Sequence, residues 1–125
     1  MTQDPKKILL VEDDKFLSEM YATKLTASGF DVEVSFDGQD ALTKIKEKKP
    51  DLILLDIVLP KMDGFELLQF LRKDDSTKEI SVIILTNLGQ KEEVEKGLKL
   101  GANDYIIKAH FTPTEVVAKA KKLLQ

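Results

Sequence analysis

Short runs of branched apolar residues alternate along the chain with segments of helical period. The segments at residues 8–11, 52–55 and 81–85 are apolar at consecutive positions apart from Ser81, and a last short segment at 104–107 is apolar after Asp104. Apolar residues on both faces predict strands buried in a parallel sheet. Residues 31–36 instead alternate Val32, Val34 and Phe36 with polar residues. This period of two predicts a half-exposed strand at an edge of the sheet.

A helical period follows each predicted strand. The first helix begins near Lys15, after Asp13 or Asp14 as its cap, and its expected buried face is Phe16, Leu17, Met20, Tyr21 and Leu25. Two later helices begin with capping-box patterns, Asp63 with Glu66 and Thr112 with Glu115. The helix at residues 90–100 is weaker. Its apolar contacts are Val94, Leu98 and Leu100, and its interior Gly97 costs ~1 kcal/mol relative to Ala, so we expect it to be the least rigid helix.

Strict alternation of strand and helix predicts parallel strands joined by right-handed crossovers. The predicted fold is α/β, a flavodoxin-like (βα)5 three-layer sandwich with sheet order 2-1-3-4-5, which puts the amphipathic second strand at an edge. The 125 residues suit one domain of ordinary size. We therefore expect a single domain over residues 1–125 with no output domain.

Composition narrows the classes of partner. The chain has 19 Lys and Arg against 22 Asp and Glu, a formal net charge of -3, which argues against direct contact with nucleic acid. It has no Cys, and hence no disulfide framework. No apolar run approaches membrane-spanning length. These features predict a cytoplasmic protein without membrane contact.

Polar side chains follow four predicted strands. They are Glu12, Asp13 and Asp14 after the first, Asp56 after the third, Thr86 after the fourth and Lys108 after the fifth. In a 2-1-3-4-5 sheet these strands are neighbours, so their carboxyl ends meet at one rim. Clustered acids need a counter-charge, and carboxylates with a backbone carbonyl suit Mg²⁺. A metal, a carboxylate, a hydroxyl and a lysine together can hold a transferred phosphoryl group.

On these motifs the chain resembles the response regulator receiver domains of two-component signalling. The matching segments are residues 8–14 (ILLVEDD), 54–64 (LLDIVLPKMDG), 85–86 (LT) and 101–108 (GANDYIIK). The resemblance implies that Asp56 accepts a phosphoryl group from a phosphohistidine. The implied donor is a histidine kinase or a histidine phosphotransfer protein, and the downstream protein is unknown.

The resemblance also implies the roles of the neighbouring residues. Asp13 and Asp56 would bind Mg²⁺ directly and Glu12 through water, with the backbone carbonyl of Val58 as a further ligand. Thr86 and Lys108 would hold phosphoryl oxygens. Tyr105 would be the switch aromatic, turning inward when Thr86 moves. Asp14 lies outside the acidic pair and is expected to cap the first helix.

The chain departs from the family pattern beside the predicted site. Lys108 precedes Ala109 where the family has Pro, often after a cis bond, and a cis bond before a non-proline residue costs ~2.5–4 kcal/mol. A trans bond and a reshaped loop are therefore one expectation. Asn87 stands where a small residue is usual and would narrow access. Val58 and Leu88 are apolar where the family controls hydrolysis of the acyl phosphate, which predicts slow dephosphorylation.

The resulting interpretation is a phosphorylation-controlled binding module, an enzyme only in assisting its own phosphoryl transfer. Two other classes remain. One is a scaffold that kept the fold without using phosphorylation, supported by Asn87 and Ala109. The other is a small Mg²⁺-dependent phosphatase, which would usually have a second Asp where Val58 stands.

Overall fold

The structure is a computed structural model that describes residues 4–125. Its strands are β1 (Lys7–Val11), β2 (Asp31–Ser35), β3 (Leu52–Leu55), β4 (Ser81–Thr86) and β5 (Asp104–Ile107). Its helices are α1 (Lys15–Ala27), α2 (Gly38–Lys48), α3 (Gly64–Lys73), α4 (Lys91–Lys99) and α5 (Pro113–Leu124), with a 3-10 turn at Lys108–His110. The predicted domain bounds include residues 1–3, which lie outside the described residues.

The five strands form one parallel sheet in the order β2-β1-β3-β4-β5. This confirms the predicted flavodoxin-like (βα)5 architecture and the position of the amphipathic strand at an edge. Val32 and Val34 of β2 are only half-buried, as their alternation with polar residues indicated. Because β1, β3, β4 and β5 are consecutive neighbours in the sheet, their carboxyl ends share one rim.

The sheet separates two apolar cores, and the strands supply alternate residues to each. Ile8 and Leu10 of β1 belong to the core under α1 and α5, whereas Leu9 and Val11 belong to the core under α2 and α3. Fully burying one such side chain is worth ~1.5–3 kcal/mol. The strand ends that carry the polar residues are thus anchored on both faces of the sheet.

Two predicted core positions are wrong. Phe16 is 77% exposed, because α1 buries Ser18, Tyr21 and Leu25, which share a face of the helix at spacings of three and four residues, and Phe16 lies off that face. Leu98 of α4 is 47% exposed. The predicted caps are confirmed: Asp14 accepts a hydrogen bond from the Leu17 amide, and both capping boxes form.

Gly64 begins α3 in close contact with the segment that leaves β3. Its amide donates to the carbonyl of Ile57 at 2.9 Å. A Cβ atom on Gly64 would lie 2.3 Å from the carbonyl oxygen of Asp56 and 2.8 Å from the Cα atom of Ile57. Both neighbours are backbone atoms of the strand end, so α3 reaches the Asp56 segment only because residue 64 has no side chain.

We therefore expect Gly64→Ala to destabilise the protein by ~1–3 kcal/mol, the usual cost of overpacking. Urea unfolding measures the loss. Gly89→Ala is the matched control, since a Cβ there would be closest to the flexible end of the Ile107 side chain, 2.9 Å away. Equal unfolding midpoints for the two variants would contradict the importance of this contact.

Candidate functional site

The polar residues predicted at the strand ends come together at the rim of the sheet. They line a pocket of about 230 Å³ whose walls are Glu12, Asp13, Asp14, Leu17, Asp56, Val58, Thr86, Asn87, Leu88 and Lys108. The pocket contains residues that follow β1, β3 and β5 and the last residue of β4. Each of the six side chains predicted from strand ends is present.

Asp56 is the first residue after β3 and is held from two sides. Its residue surface is 7% exposed. One carboxylate oxygen, Oδ1, accepts hydrogen bonds from the amides of Ile57 at 2.7 Å and Val58 at 3.4 Å. The other, Oδ2, accepts from the Nζ atom of Lys108 at 2.8 Å. Both oxygens are thus oriented before any ligand binds.

Glu12 is 2% exposed and lies across the pocket from Asp56. Its Oε1 atom pairs with the Lys108 ammonium, and its Oε2 atom accepts from the amide of Asp14 at 3.1 Å. Burial raises the pKa of Glu12 above its ordinary value, and the hydrogen bonds from Lys108 and Asp14 only partly oppose this. Keeping Glu12 ionised therefore costs folding free energy.

Lys108 bridges the two carboxylates. Burial by itself lowers the pKa of this lysine, but the hydrogen bonds and charges of Asp56 and Glu12 outweigh burial and raise it above the ordinary value. The ammonium therefore stays charged at neutral pH. It is the one cation within the pocket lining given above, and it links the ends of β1, β3 and β5.

Three carboxylates are close enough to share one metal ion. An oxygen of Glu12, one of Asp13 and one of Asp56 all lie within 4.8 Å of one another. Asp13 is exposed, whereas the other two are buried. Hard oxygen donors with one side open to water fit Mg²⁺, which keeps several of its waters when bound to proteins.

The backbone of Leu88 joins Thr86 to Tyr105, a link that the sequence did not predict. The Thr86 hydroxyl accepts from the amide of Leu88 at 3.4 Å, and the Tyr105 hydroxyl donates to the carbonyl of Leu88 at 2.5 Å. Burial, with the negative charges of Glu93 and Asp56, raises the pKa of Tyr105 to about 12. A backbone role leaves no mark on residue type, so the sequence held no sign of it.

The departures noted at Ala109 and Asn87 have structural counterparts. The Lys108–Ala109 bond is trans, since no peptide bond among the described residues is cis, and the segment turns in a 3-10 helix. The trans bond matches the expectation, whereas a loop reshaped relative to the family stays a prediction. Asn87 is exposed on the pocket wall, and its restriction of entry stays a prediction.

Comparison with known proteins now identifies the family. The family model that describes the response regulator receiver domain matches residues 8–121 of the sequence. The chain belongs to the response regulator receiver domain family. A solved receiver domain of Francisella response regulator 1452 superposes with a TM-score of 0.88 at 36% identity, covering 95% of this chain and 96% of that one. The receiver is therefore a phosphoacceptor module of two-component signalling, as predicted.

Longer proteins are also similar to this receiver. A probable transcriptional regulator, ycf27, of Cyanophora paradoxa is 38% identical over 125 residues, which are 100% of this chain and 51% of that protein. The DNA-binding dual master transcriptional regulator RpaA of Synechocystis is 39% identical over 119 residues, 95% of this chain and 49% of that protein. The chain spans about half the length of these relatives. Their names do not support our expectation that the chain makes no direct contact with nucleic acid.

Within residues 4–125, none of the helices combines the length and the apolar composition needed to cross a bilayer.

The raised pKa of Glu12 predicts a pH dependence of stability in metal-free buffer. A carboxyl whose folded pKa exceeds its unfolded value, here near 4.5, contributes stability that is lost as pH rises through the folded pKa. We expect Glu12→Gln, which cannot ionise, to be more stable than the wild type at neutral pH. As pH falls from the folded pKa towards 4.5, its advantage should shrink by ~1.4 kcal/mol per pH unit. Urea unfolding across that interval measures this.

Glu115→Gln is the matched control, and its effect on stability should change with pH in the opposite direction. The Thr112 cap lowers the pKa of Glu115, so this residue contributes stability that is present above the unfolded pKa and lost as pH falls. If Glu12→Gln gained nothing at neutral pH, the burial cost assigned to Glu12 would be wrong.

Proposed function

We propose that Asp56 accepts the phosphoryl group, with Lys108 and Thr86 holding its oxygens and Glu12, Asp13 and Asp56 holding Mg²⁺. The observation that carries the proposal is the hydrogen bond of 2.8 Å from the Lys108 ammonium to Asp56. It puts a buried cation where negative charge develops during phosphoryl transfer, and fixed charges of this kind stabilise such transition states.

The reaction proposed is transfer from a phosphohistidine. A carboxylate oxygen of Asp56 attacks phosphorus, the phosphorus–nitrogen bond breaks, and the imidazole leaves with the electron pair and takes up a proton. Mg²⁺, when bound, supplies positive charge to the phosphoryl oxygens. The Lys108 ammonium supplies further positive charge to these oxygens. The backbone amides of Ile57 and Val58 orient the carboxylate through Oδ1.

The carbonyl of Val58 is proposed as the further Mg²⁺ ligand, because Val58 lines the pocket beside the three carboxylates. Thr86 and Tyr105 are proposed as the switch. Their shared contacts with Leu88 supply a route by which movement of the Thr86 hydroxyl would reach the Tyr105 ring. Phosphorylation would then bias a two-state equilibrium of the surface beyond that ring.

A protein donor is supported by apolar surface beside the pocket. Val58 is 60% exposed on the pocket wall, and Phe16 is exposed two residues after Asp14, which lines the pocket and caps α1. We propose a histidine kinase or a histidine phosphotransfer protein as this donor. Four further points stay predictions, because the chain spans about half the length of its relatives. They are the role of a binding module that assists only its own phosphoryl transfer, a single domain over residues 1–125, the cytoplasmic location and the absence of nucleic-acid contact.

Incubation with acetyl phosphate and Mg²⁺ tests the phosphoacceptor. We expect intact-mass spectra to show one added phosphoryl group on the wild type and none on Asp56→Asn. Asp75→Asn is the matched control, since the Asp75 side chain is 93% exposed in the loop after α3. Absence of any adduct on the wild type would support the scaffold instead. Rapid turnover of phosphate esters would support the phosphatase.

The apolar residues Val58 and Leu88 predict slow loss of the phosphoryl group. Both line the pocket, and neither side chain can orient an attacking water. Val58→Asn supplies an amide that can orient the water without taking its proton, so we expect hydrolysis to accelerate by roughly tenfold, less than the ~10²–10⁴-fold of a true general base. Decay of the adduct after removal of acetyl phosphate measures the rate. Val58→Ala controls for the loss of bulk, and a wild-type lifetime of seconds would refute the prediction.

A further inference from the structure

The ring of Tyr105 lies directly beneath α4, at the one helix position that has no side chain. A Cβ atom on Gly97 would be 2.9 and 3.0 Å from the ring carbons Cδ2 and Cε2 of Tyr105, and 2.6 Å from Cδ1 of Ile84. Ile84 and Tyr105 are paired neighbours on β4 and β5. The helix backbone thus rests on the ring, and any side chain at residue 97 would force one of the two to move.

The same ring is bonded to the loop that leads from the phosphorylation pocket to α4. Its hydroxyl donates to the carbonyl of Leu88, while the amide of Leu88 donates to the hydroxyl of Thr86. A contiguous set of contacts therefore runs from Thr86 through Leu88 and Tyr105 to Gly97. One end of this set lines the pocket, and the other lies on α4.

Other attachments of α4 are few. Among residues 91–99, Gly97 alone is buried, Leu98 faces solvent, and Val94 is half-buried. Lys96 lies over the ring of Phe65 on α3, with its Nζ atom 4.6 Å from the ring centroid, a contact that is weak at exposed sites. The position of α4 on the sheet is therefore set chiefly where Gly97 meets Tyr105.

We infer that Gly97 is a positioning residue, which lets α4 rest on the Tyr105 ring so that displacement of the ring is transmitted to the exposed face of α4. The inference rests on the proposed phosphorylation of Asp56 and on Thr86 and Tyr105 as its switch. It revises the sequence interpretation of Gly97, in which this glycine only weakens the helix. It assigns the residue a role through another side chain, distinct from contact with the phosphoryl group.

Helix propensity and close packing predict opposite effects of Gly97→Ala. Alanine is the better helix former, so a glycine without a packing role would become more stable when replaced. A methyl group against the ring and Ile84 instead predicts a lower urea midpoint. We expect the lower midpoint in the wild-type background. In a Tyr105→Leu background only the contact with the terminal Cδ1 atom of Ile84 remains, and this atom can rotate away, so the penalty should shrink or change sign.

The transmission itself is measured on the full chain by the amide NMR signals of Leu88 and residues 91–99, with acetyl phosphate and Mg²⁺ as the probe. Intact mass of the same sample gives the extent of phosphorylation. We expect Gly97→Ala to carry the adduct to the wild-type extent and to keep the response at Leu88, but to lose most of the response in α4. Lys99→Ala, an exposed change in α4, is the matched control and should respond like the wild type.

Three results would overturn the inference. They are a midpoint unchanged or raised by Gly97→Ala, a penalty of undiminished size in the Tyr105→Leu background, or an α4 response of wild-type size in the alanine variant. If Gly97→Ala does not fold, the double variant with Tyr105→Leu should fold, because the rigid ring is gone and the terminal Cδ1 atom of Ile84 can rotate away from the methyl. A wild type without any adduct would contradict the proposed function, whereas the unfolding comparison would still decide whether Gly97 acts through Tyr105.

Discussion

A single buried ammonium, that of Lys108, holds the rim of the sheet together. It pairs with Glu12 after β1 and Asp56 after β3, although these partners are 96 and 52 residues away in sequence. Without this cation two nearly buried carboxylates would face each other, and removing one partner of a buried ion pair typically costs ~3–5 kcal/mol. The geometry of the pocket therefore depends on the loop after β5 returning the lysine to the centre of the rim.

The acidic pocket destabilises the folded state locally, and the rest of the fold offsets this loss of stability. Glu12 is buried with a raised pKa, and Asp13 adds a third carboxylate within 4.8 Å of its neighbours. The two apolar cores anchor the strand ends on both faces, so the carboxylates cannot move apart to relieve their repulsion. A ligand that binds only the folded chain stabilises it, and a divalent cation at this rim would do so by meeting the charge that Lys108 leaves uncompensated.

The wrong predictions all concern helix surfaces, and each has a specific cause. Phe16 fits a helical period with Met20, yet the buried residues of α1 are Ser18, Tyr21 and Leu25, because which side of the helix meets the sheet depends on the crossover. In α4, Leu98 was predicted to face the core because it is hydrophobic, but it is exposed. The buried residue of this helix is Gly97, which has no side chain. A helix can pack closely on an aromatic ring only where the helix residue has no side chain. The pattern of hydrophobic residues does not reveal such a position.

The sequence by itself determined the alternation of strands and helices, the sheet order, the caps and the identity of the rim residues, since these follow from local period, turn chemistry and the geometry of parallel strands. Tertiary structure alone decided that Lys108 bridges Glu12 and Asp56, that the backbone of Leu88 joins Thr86 to Tyr105, and that α4 rests on that ring. These contacts join residues distant in the chain or involve backbone atoms common to every residue type. Residue pattern therefore cannot encode them, and only the packed chain brings them within bonding distance.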